Sequence, residues 1–361
     1  MRSPLARVEN GWVRWSIILA VIILIAALFL PVPFVSRAPG PVFDVLGEVD
    51  GEPVMKIEGA ESHPVSGVLD MTTVSESGGS SGTINLVAGI YGLFAPNQSV
   101  IPTDEVYTDG PPTEEDRELN EQVFAASQSD ALAAAANYLE RPVTSQVLVT
   151  GVSADGPAAG TLEAGDLILS VNGHPVATNV EVGELISPLP VGSEVTLVIK
   201  RDGEEREVRL QTAPNPEEPE RSMIGIFLDT HYESDFTVDI ALSDIGGPSA
   251  GLVFALGMVD KLTKEDLLAD NHIAGTGTIS SSGEVGPIGG IDKKMVAAAK
   301  DGATLFLAPA DNCEDVVGNI PDGLTVASVA TLSEAIEAID DYTNGRPVTS
   351  CPVDAETQAT G

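Results

Sequence analysis

Along the chain, apolar and polar positions alternate in clearly different ways. Residues 16–30 carry no charge and are almost wholly aliphatic, with Trp12 and Trp15 before them and Phe34 after. With its flanking aromatics this run approaches the ~20 residues that cross a bilayer core, and Trp favours the interface. Arg2, Arg7 and Arg14 precede it, and Pro31, Val32, Pro33 and Phe34 follow it where a cleavable signal would show small residues. The pattern predicts a cytoplasmic stub and an uncleaved transmembrane anchor over residues 1–35, a lipid bilayer as partner, and an extracytoplasmic location for the rest.

Residues 36–140 begin with short Val, Leu and Ile runs broken by Gly and Ser clusters such as 78–82, which predict strands and turns in a juxtamembrane segment. Thr113 and Asp116 mark a helix start, and Ser129 is expected to cap a second, Ala-rich helix ending near Tyr138 and Leu139. Residues 141–213 hold a compact β pattern. Val147, Leu148 and Val149 are followed by Leu167 to Val171, by Asn172 and Gly173 as a tight reversal, and by Val195, Leu197 and Ile199. Residues 214–221 are rich in Pro and Glu and read as a linker. A further domain over 222–345 opens with Ile224 to Leu228, and 346–361 form a tail.

Charge narrows the partners. Against 54 acidic residues stand 18 Lys and Arg, a formal net charge of −36 that repels phosphate backbones and argues against nucleic acid. The two cysteines, Cys313 and Cys351, are candidates for a disulfide in an oxidising compartment. The four histidines are scattered and no Cys-x-x-Cys occurs, so no metal is expected.

Chemistry enters at Gly246 to Gly251. Two glycines allow a tight turn and Pro248 suits the first position of a helix. Ser249 would then lie in a first helical turn, beside unpaired N–H groups that can hold an oxyanion, with Gly247, Pro248 and Ala250 forming the turn. Leu252, Val253, Leu256 and Val259 continue at helical spacing. By itself this is also the sequence of an ordinary helix start. A serine nucleophile needs a base, and only His272 follows Ser249, too near for the Ser, acid, His order of an α/β-hydrolase. A lysine can serve if burial lowers its pKa by roughly 3 units.

Two resemblances sharpen this reading. Residues 141–213 resemble a PDZ domain, with Gly156, Pro157, Ala158 and Ala159 at its short helix. That resemblance implies peptide capture beside Gln146, Val147, Leu148 and Val149, facing Val182 and Ile186 of a helix. Residues 222–340 resemble the proteolytic domain of the Lon peptidases, and the order of anchor, PDZ and Lon domain is similar to the YlbL-type bacterial proteins. Pro248, Ser249, Ala250 and Gly251 match the nucleophile motif. Pro287 to Gly290, with Lys294 four residues after the second Gly, match the turn and helix that carry the base, which makes Lys293 a surface neighbour. Gly275 to Ile279 match the strand whose threonine, here Thr276, supports the dyad.

The resulting expectation is an α+β multidomain chain: one transmembrane helix, a PDZ-like β module and a C-terminal Lon-type proteolytic α/β domain. It implies a serine endopeptidase acting on polypeptides, with neither cofactor nor ATP, since no Gly-x-x-x-x-Gly-Lys-Ser/Thr loop occurs. The resemblance also suggests a homo-oligomer. Two other readings stand beside it: a catalytically silent PDZ/Lon-like adaptor or scaffold, and an esterase using Ser249 with His272.

Overall fold

The computed structural model describes residues 11–49, 51–78, 83–107, 113–216, 218–242 and 245–352. Arg2, Arg7, most of the Gly and Ser cluster at 78–82 and the end of the tail lie outside them.

Helix α1 covers Gly11–Leu28, 18 residues. Such a helix rises about 27 Å, against a hydrocarbon core of about 30 Å. Among the described residues no helix is long and apolar enough to cross a membrane. This overturns the expected transmembrane anchor, and with it the single-pass, extracytoplasmic placement drawn from it.

Two sheets organise the remainder. The first uses β1 (Phe34–Asp44), β2 (Val68–Ser77) and β3 (Ser99–Pro102). A short apolar helix, α2 (Leu86–Phe94), and the long α3 (Glu114–Tyr138) follow. The second sheet is built from β4 (Val143–Val152), β5 (Leu167–Val171), β6 (Glu194–Arg201), β7 (Glu204–Gln211) and β8 (Ile226–Ser234), with α4 (Asn179–Ile186) packed on it. The chain then returns to the first sheet. It passes through α5 (Gly251–Leu262), β9 (His272–Gly275), α6 (Ile291–Asp301), β10 (Leu305–Pro309), β11 (Thr325–Val329) and α7 (Leu332–Thr343).

The first sheet has the order β11-β10-β9-β2-β1-β3. Pairing is parallel from β11 through β2 and antiparallel from β2 to β3. Residues expected to form a separate juxtamembrane segment thus supply half the strands of this sheet. Alternation along the strands divides the core. Ile273, Leu305 and Leu307 pack with α3, α5 and α7 on one face, while Ala274, Phe306 and Ala308 pack with Ile291, Met295 and Ala298 of α6 on the other. Cys313 and Cys351 are joined by a disulfide, 38 residues apart in sequence, which fixes the start of the tail against this second core.

The second sheet is antiparallel, in the order β7-β6-β5-β4-β8. Asn172 and Gly173 both take positive φ, 50° and 78°, as a two-residue reversal requires. Residues 156–159 form turns where a short helix was expected.

Two further expectations change. The last domain is expected to open with Ile224 to Leu228, yet Ile226–Ser234 pairs along its length with β4. Helix α3 is unbroken over 25 residues, opened by a Thr113–Asp116 capping box. Ser129 does not cap anything: with no Gly or Pro to stop the helix, its hydroxyl instead accepts the Tyr232 N–H of β8 at 2.9 Å.

Candidate active site

Ser249 sits in the turn just before α5, which begins at Gly251, three residues after the Pro248 start that the sequence suggests. Gly247 has φ +84°, a conformation open to glycine at little cost, and it throws the chain into this turn. Gly251 is required for space: a Cβ there would stand 2.8 Å from Ile279 Cγ2 and 2.9 Å from Ser127 Oγ.

Lys294 lies in the first turn of α6, on the opposite face of the sheet from α5. Gly290, the residue before this helix, takes φ +70°. The two helices converge at the carboxyl end of β9, where Thr276 follows directly. Lys294 Nζ donates to Ser249 Oγ at 2.8 Å and to Thr276 Oγ1 at 2.9 Å. Thr276 Oγ1 in turn donates to the Ser249 carbonyl at 3.0 Å, and Gly277 N donates to the same oxygen at 2.9 Å.

Lys294 is 3% exposed and Thr276 fully buried. Burial lowers the Lys294 pKa from 10.5 to about 8, because the ammonium loses its hydration there. At neutral pH an appreciable fraction of the amine is therefore neutral and able to accept the serine proton. Lys293 does not share the site, but neither is it a surface neighbour: its side chain is largely covered and its Nζ pairs with Asp292 Oδ2 at 2.5 Å.

The oxyanion assignment needs revision. Pro248 has no N–H, and the Gly247 N–H is taken by the Asn120 carbonyl of α3 at 3.3 Å. The backbone N–H groups of Ser249 and Ala250 have no partner among the described residues, so the donors beside the nucleophile are these two. Above them opens a cleft of about 650 Å³, with Phe43 of β1, Met71 and Val74 of β2, and Ile245 among its walls. Nothing local in residues 41–75 marks them as lining a site more than 170 residues away, so sequence reasoning had no signal for them.

His272 turns away from Ser249. Its Nε2 lies 2.5 Å from Asp70 Oδ2, a carboxyl that is 1% exposed and pushed by burial up to about 6 despite the imidazole beside it. The Ser–His esterase arrangement is not formed.

The expected peptide groove is also rearranged. Gln146, Val147, Leu148 and Val149 lie on β4, an interior strand hydrogen-bonded to β5 on one side and β8 on the other. Val147 and Val149 point into the domain core with Val182 and Ile186 of α4. The edge strand on this side of the sheet is β8, whose Thr230 Oγ1 receives the Asn179 N–H at the start of α4.

With this geometry established, likeness to known proteins becomes informative. Residues 117–212 match the PDZ domain family and residues 228–340 match the Lon protease (S16) C-terminal proteolytic domain. The Lon protease of Buchnera aphidicola is 31% identical over 140 residues, 37% of this chain and 18% of the relative. Lon protease 2 of Bacillus subtilis is 38% identical over 95 residues, 26% of this chain and 17% of the relative. A probable periplasmic serine endoprotease, DegP-like, of Pseudomonas fluorescens is 40% identical over 81 residues, 22% of this chain and 17% of that protein. The chain thus spans less than a fifth of the length of these relatives. The buried lysine beside Ser249 and the match over residues 228–340 agree in pointing to the proteolytic-domain class of fold. Residues 228–340 are thus similar to the Lon-type proteolytic domain, and residues 117–212 to PDZ domains.

Proposed function

We propose that the chain is an ATP-independent serine endopeptidase that cleaves extended polypeptide segments, with Ser249 as nucleophile and Lys294 as general base. The observation that carries this reading is the buried Lys294 amine, 2.8 Å from Ser249 Oγ with its pKa lowered to about 8. The neutral amine takes the Ser249 proton as Oγ attacks the scissile carbonyl, and the Ser249 and Ala250 N–H groups receive the developing oxyanion. The same ammonium returns the proton to the leaving amine. A water then attacks the acyl-enzyme, with Lys294 again accepting its proton. Thr276 accepts one of the ammonium's hydrogen bonds and so fixes the direction in which Nζ points.

The 361-residue sequence offers no nucleotide-binding loop to drive unfolding, which favours substrates that arrive already extended. The outer edge of β8, where Ser129 of α3 holds the Tyr232 N–H, is the surface on which the PDZ domain would add such a strand by displacing that contact, with α4 alongside. An extended peptide bound there would compete with long substrates for that edge and inhibit their turnover.

The deciding test is cleavage of unfolded casein by the full chain without ATP. Ser249→Ala and Lys294→Ala should each lower kcat by about 10³-fold or more while the proteins remain folded. The rate should rise with pH and level off above about pH 8, because the reactive form is the deprotonated amine. Equal activity of the wild type and both variants would sink the dyad, and tight peptide binding by an inert wild type would favour an adaptor.

A further inference from the structure

Helix α3 lies outside the stretch that matches the Lon proteolytic domain, yet it touches both halves of the molecule. On one side Phe124 meets Phe254 of α5 edge-on, with ring centroids 5.8 Å apart. The Asn120 carbonyl holds the Gly247 N–H, and the buried Ser127 hydroxyl donates to the Pro248 carbonyl at 3.1 Å. These two bonds bracket the turn that presents Ser249 and aims the Ser249 and Ala250 N–H groups. Ser127 also fills the space beside Gly251, so the turn has no slack on that side.

On its other side α3 lies across the PDZ sheet. Ser129, two residues from Ser127, accepts the Tyr232 N–H of β8. Between the first half of α3 and the ends of β4 and β8 is a cavity of about 450 Å³, lined by Leu119, Val123 and Phe227 among others. A helix packed against a void on one flank can shift more readily there than in the close-packed core. Ser129 and Ser127 sit at the boundary between that flank and the nucleophile turn.

We infer that Ser127 is a positioning residue for the Ser249 turn, and that α3 carries the state of PDZ strand β8 to that turn through the adjacent Ser129 contact. The inference rests on the peptidase reading above. Strand addition at β8 then regulates acylation by setting the oxyanion donors, not by changing the base.

The test uses the full chain, casein turnover, and the rate at which a fluorophosphonate labels Ser249. Wild-type turnover with no turnover by Ser249→Ala first establishes the underlying activity; its absence would refute that activity and not the coupling alone. Ser127→Ala should lower kcat and the labelling rate about tenfold, since a small misplacement of reacting groups is costly, while KM, the pH midpoint near 8 and the thermal midpoint stay put. Ser127→Cys, which keeps the shape and a weak donor, should recover part of the rate. Wild-type kcat in Ser127→Ala, or a loss accounted for by unfolding, overturns the positioning role.

Ser129→Ala should lower the labelling rate by about threefold, and the Ser127→Ala/Ser129→Ala double variant should be no slower than Ser127→Ala alone. Losses that multiply would show two independent contacts and overturn the coupling.

Discussion

The two sheets of this protein reach the same kind of order by different routes. In the PDZ sheet, four principal strands come from one continuous run, β4 to β7, with short connections, and only β8 arrives from beyond a linker. In the catalytic sheet, β2 and β9 are direct neighbours although Val68 and His272 are more than 200 residues apart. Local antiparallel pairing leaves a readable imprint, because alternation and turn residues act within a few positions. Parallel pairing across such a separation leaves none, since each strand is specified by partners that are remote in sequence.

The sharpest way to break this comparison is to cut the chain. Residues 141–235 contain every principal strand of the PDZ sheet and should unfold cooperatively in urea on their own. Residues 222–345 contain the proposed nucleophile and base, together with Thr276, but lack β1, β2 and α3. They should show no cooperative transition by circular dichroism. A stable, active fragment 222–345 would mean that the first third of the chain is not part of the catalytic unit.

Each sheet also buries one aspartate to 1% exposure, and the two should respond oppositely to acid. Asp166 receives Arg201 Nε at 2.5 Å and Nη2 at 2.6 Å. Burial alone would raise its pKa, but the bidentate guanidinium and the Glu163 N–H outweigh this and leave it below the usual 3.8. Its stabilising contribution is complete above about pH 4 and is lost as pH falls through the lowered folded value. Asp70, paired only with an imidazole, is raised to about 6. The folded state therefore takes up this proton before the unfolded state does, and its contribution to stability improves as pH falls from about 6 to 4.

Arg201→Met and His272→Ala should each cost about 3 kcal/mol at pH 7, by stranding a buried carboxylate. The His272→Ala loss should shrink at pH 5, whereas the Arg201→Met loss should not. Urea titrations at both pH values would show it, and equal losses at both would contradict the assigned difference in environment.

Opening the Cys313–Cys351 link by Cys351→Ser should cost about 3 kcal/mol in the catalytic unit, through the 38-residue separation it closes, and leave the PDZ transition in place. The smallest effect has the opposite sign. Lys294→Met should abolish activity yet stabilise the fold by about 1–3 kcal/mol at pH 7, because it removes the cost of a buried ammonium. Between about pH 8 and 10.5 the unfolded wild type holds a proton that the folded state lacks, so wild-type stability rises with pH and the gain from Met should fade. A loss of stability at pH 7 would mean that the hydrogen bonds to Ser249 and Thr276 outweigh desolvation.

Much of the site was legible because its parts are local motifs. A Gly-Gly-Pro turn before an apolar run locates a serine at a helix start. A Gly-Gly turn before an Ala-rich helix locates a lysine one turn in, and a Gly-Thr-Gly strand end locates a threonine. Of the expected oxyanion turn, the Gly247 N–H is taken by a carbonyl of a distant helix, which no local pattern announces. The peptide groove was placed on β4 because the sequence gives no sign that Ile226–Ser234 will cross the linker and cover that edge. The apolar N-terminal run was overread for a similar reason: composition counts residues, whereas a span depends on the length of helix that forms.

By itself, then, the sequence determined which residues can do chemistry and which short elements hold them, since glycine dihedrals, helix periodicity and strand alternation act over a few residues. Tertiary structure decided what those elements stand against. It put Asp70 beside His272, β8 beside β4, and Ser127 beside the nucleophile turn, and it buried Lys294 where its amine gives up a proton near neutrality. These are consequences of burial and long-range pairing, which are set by the whole chain at once.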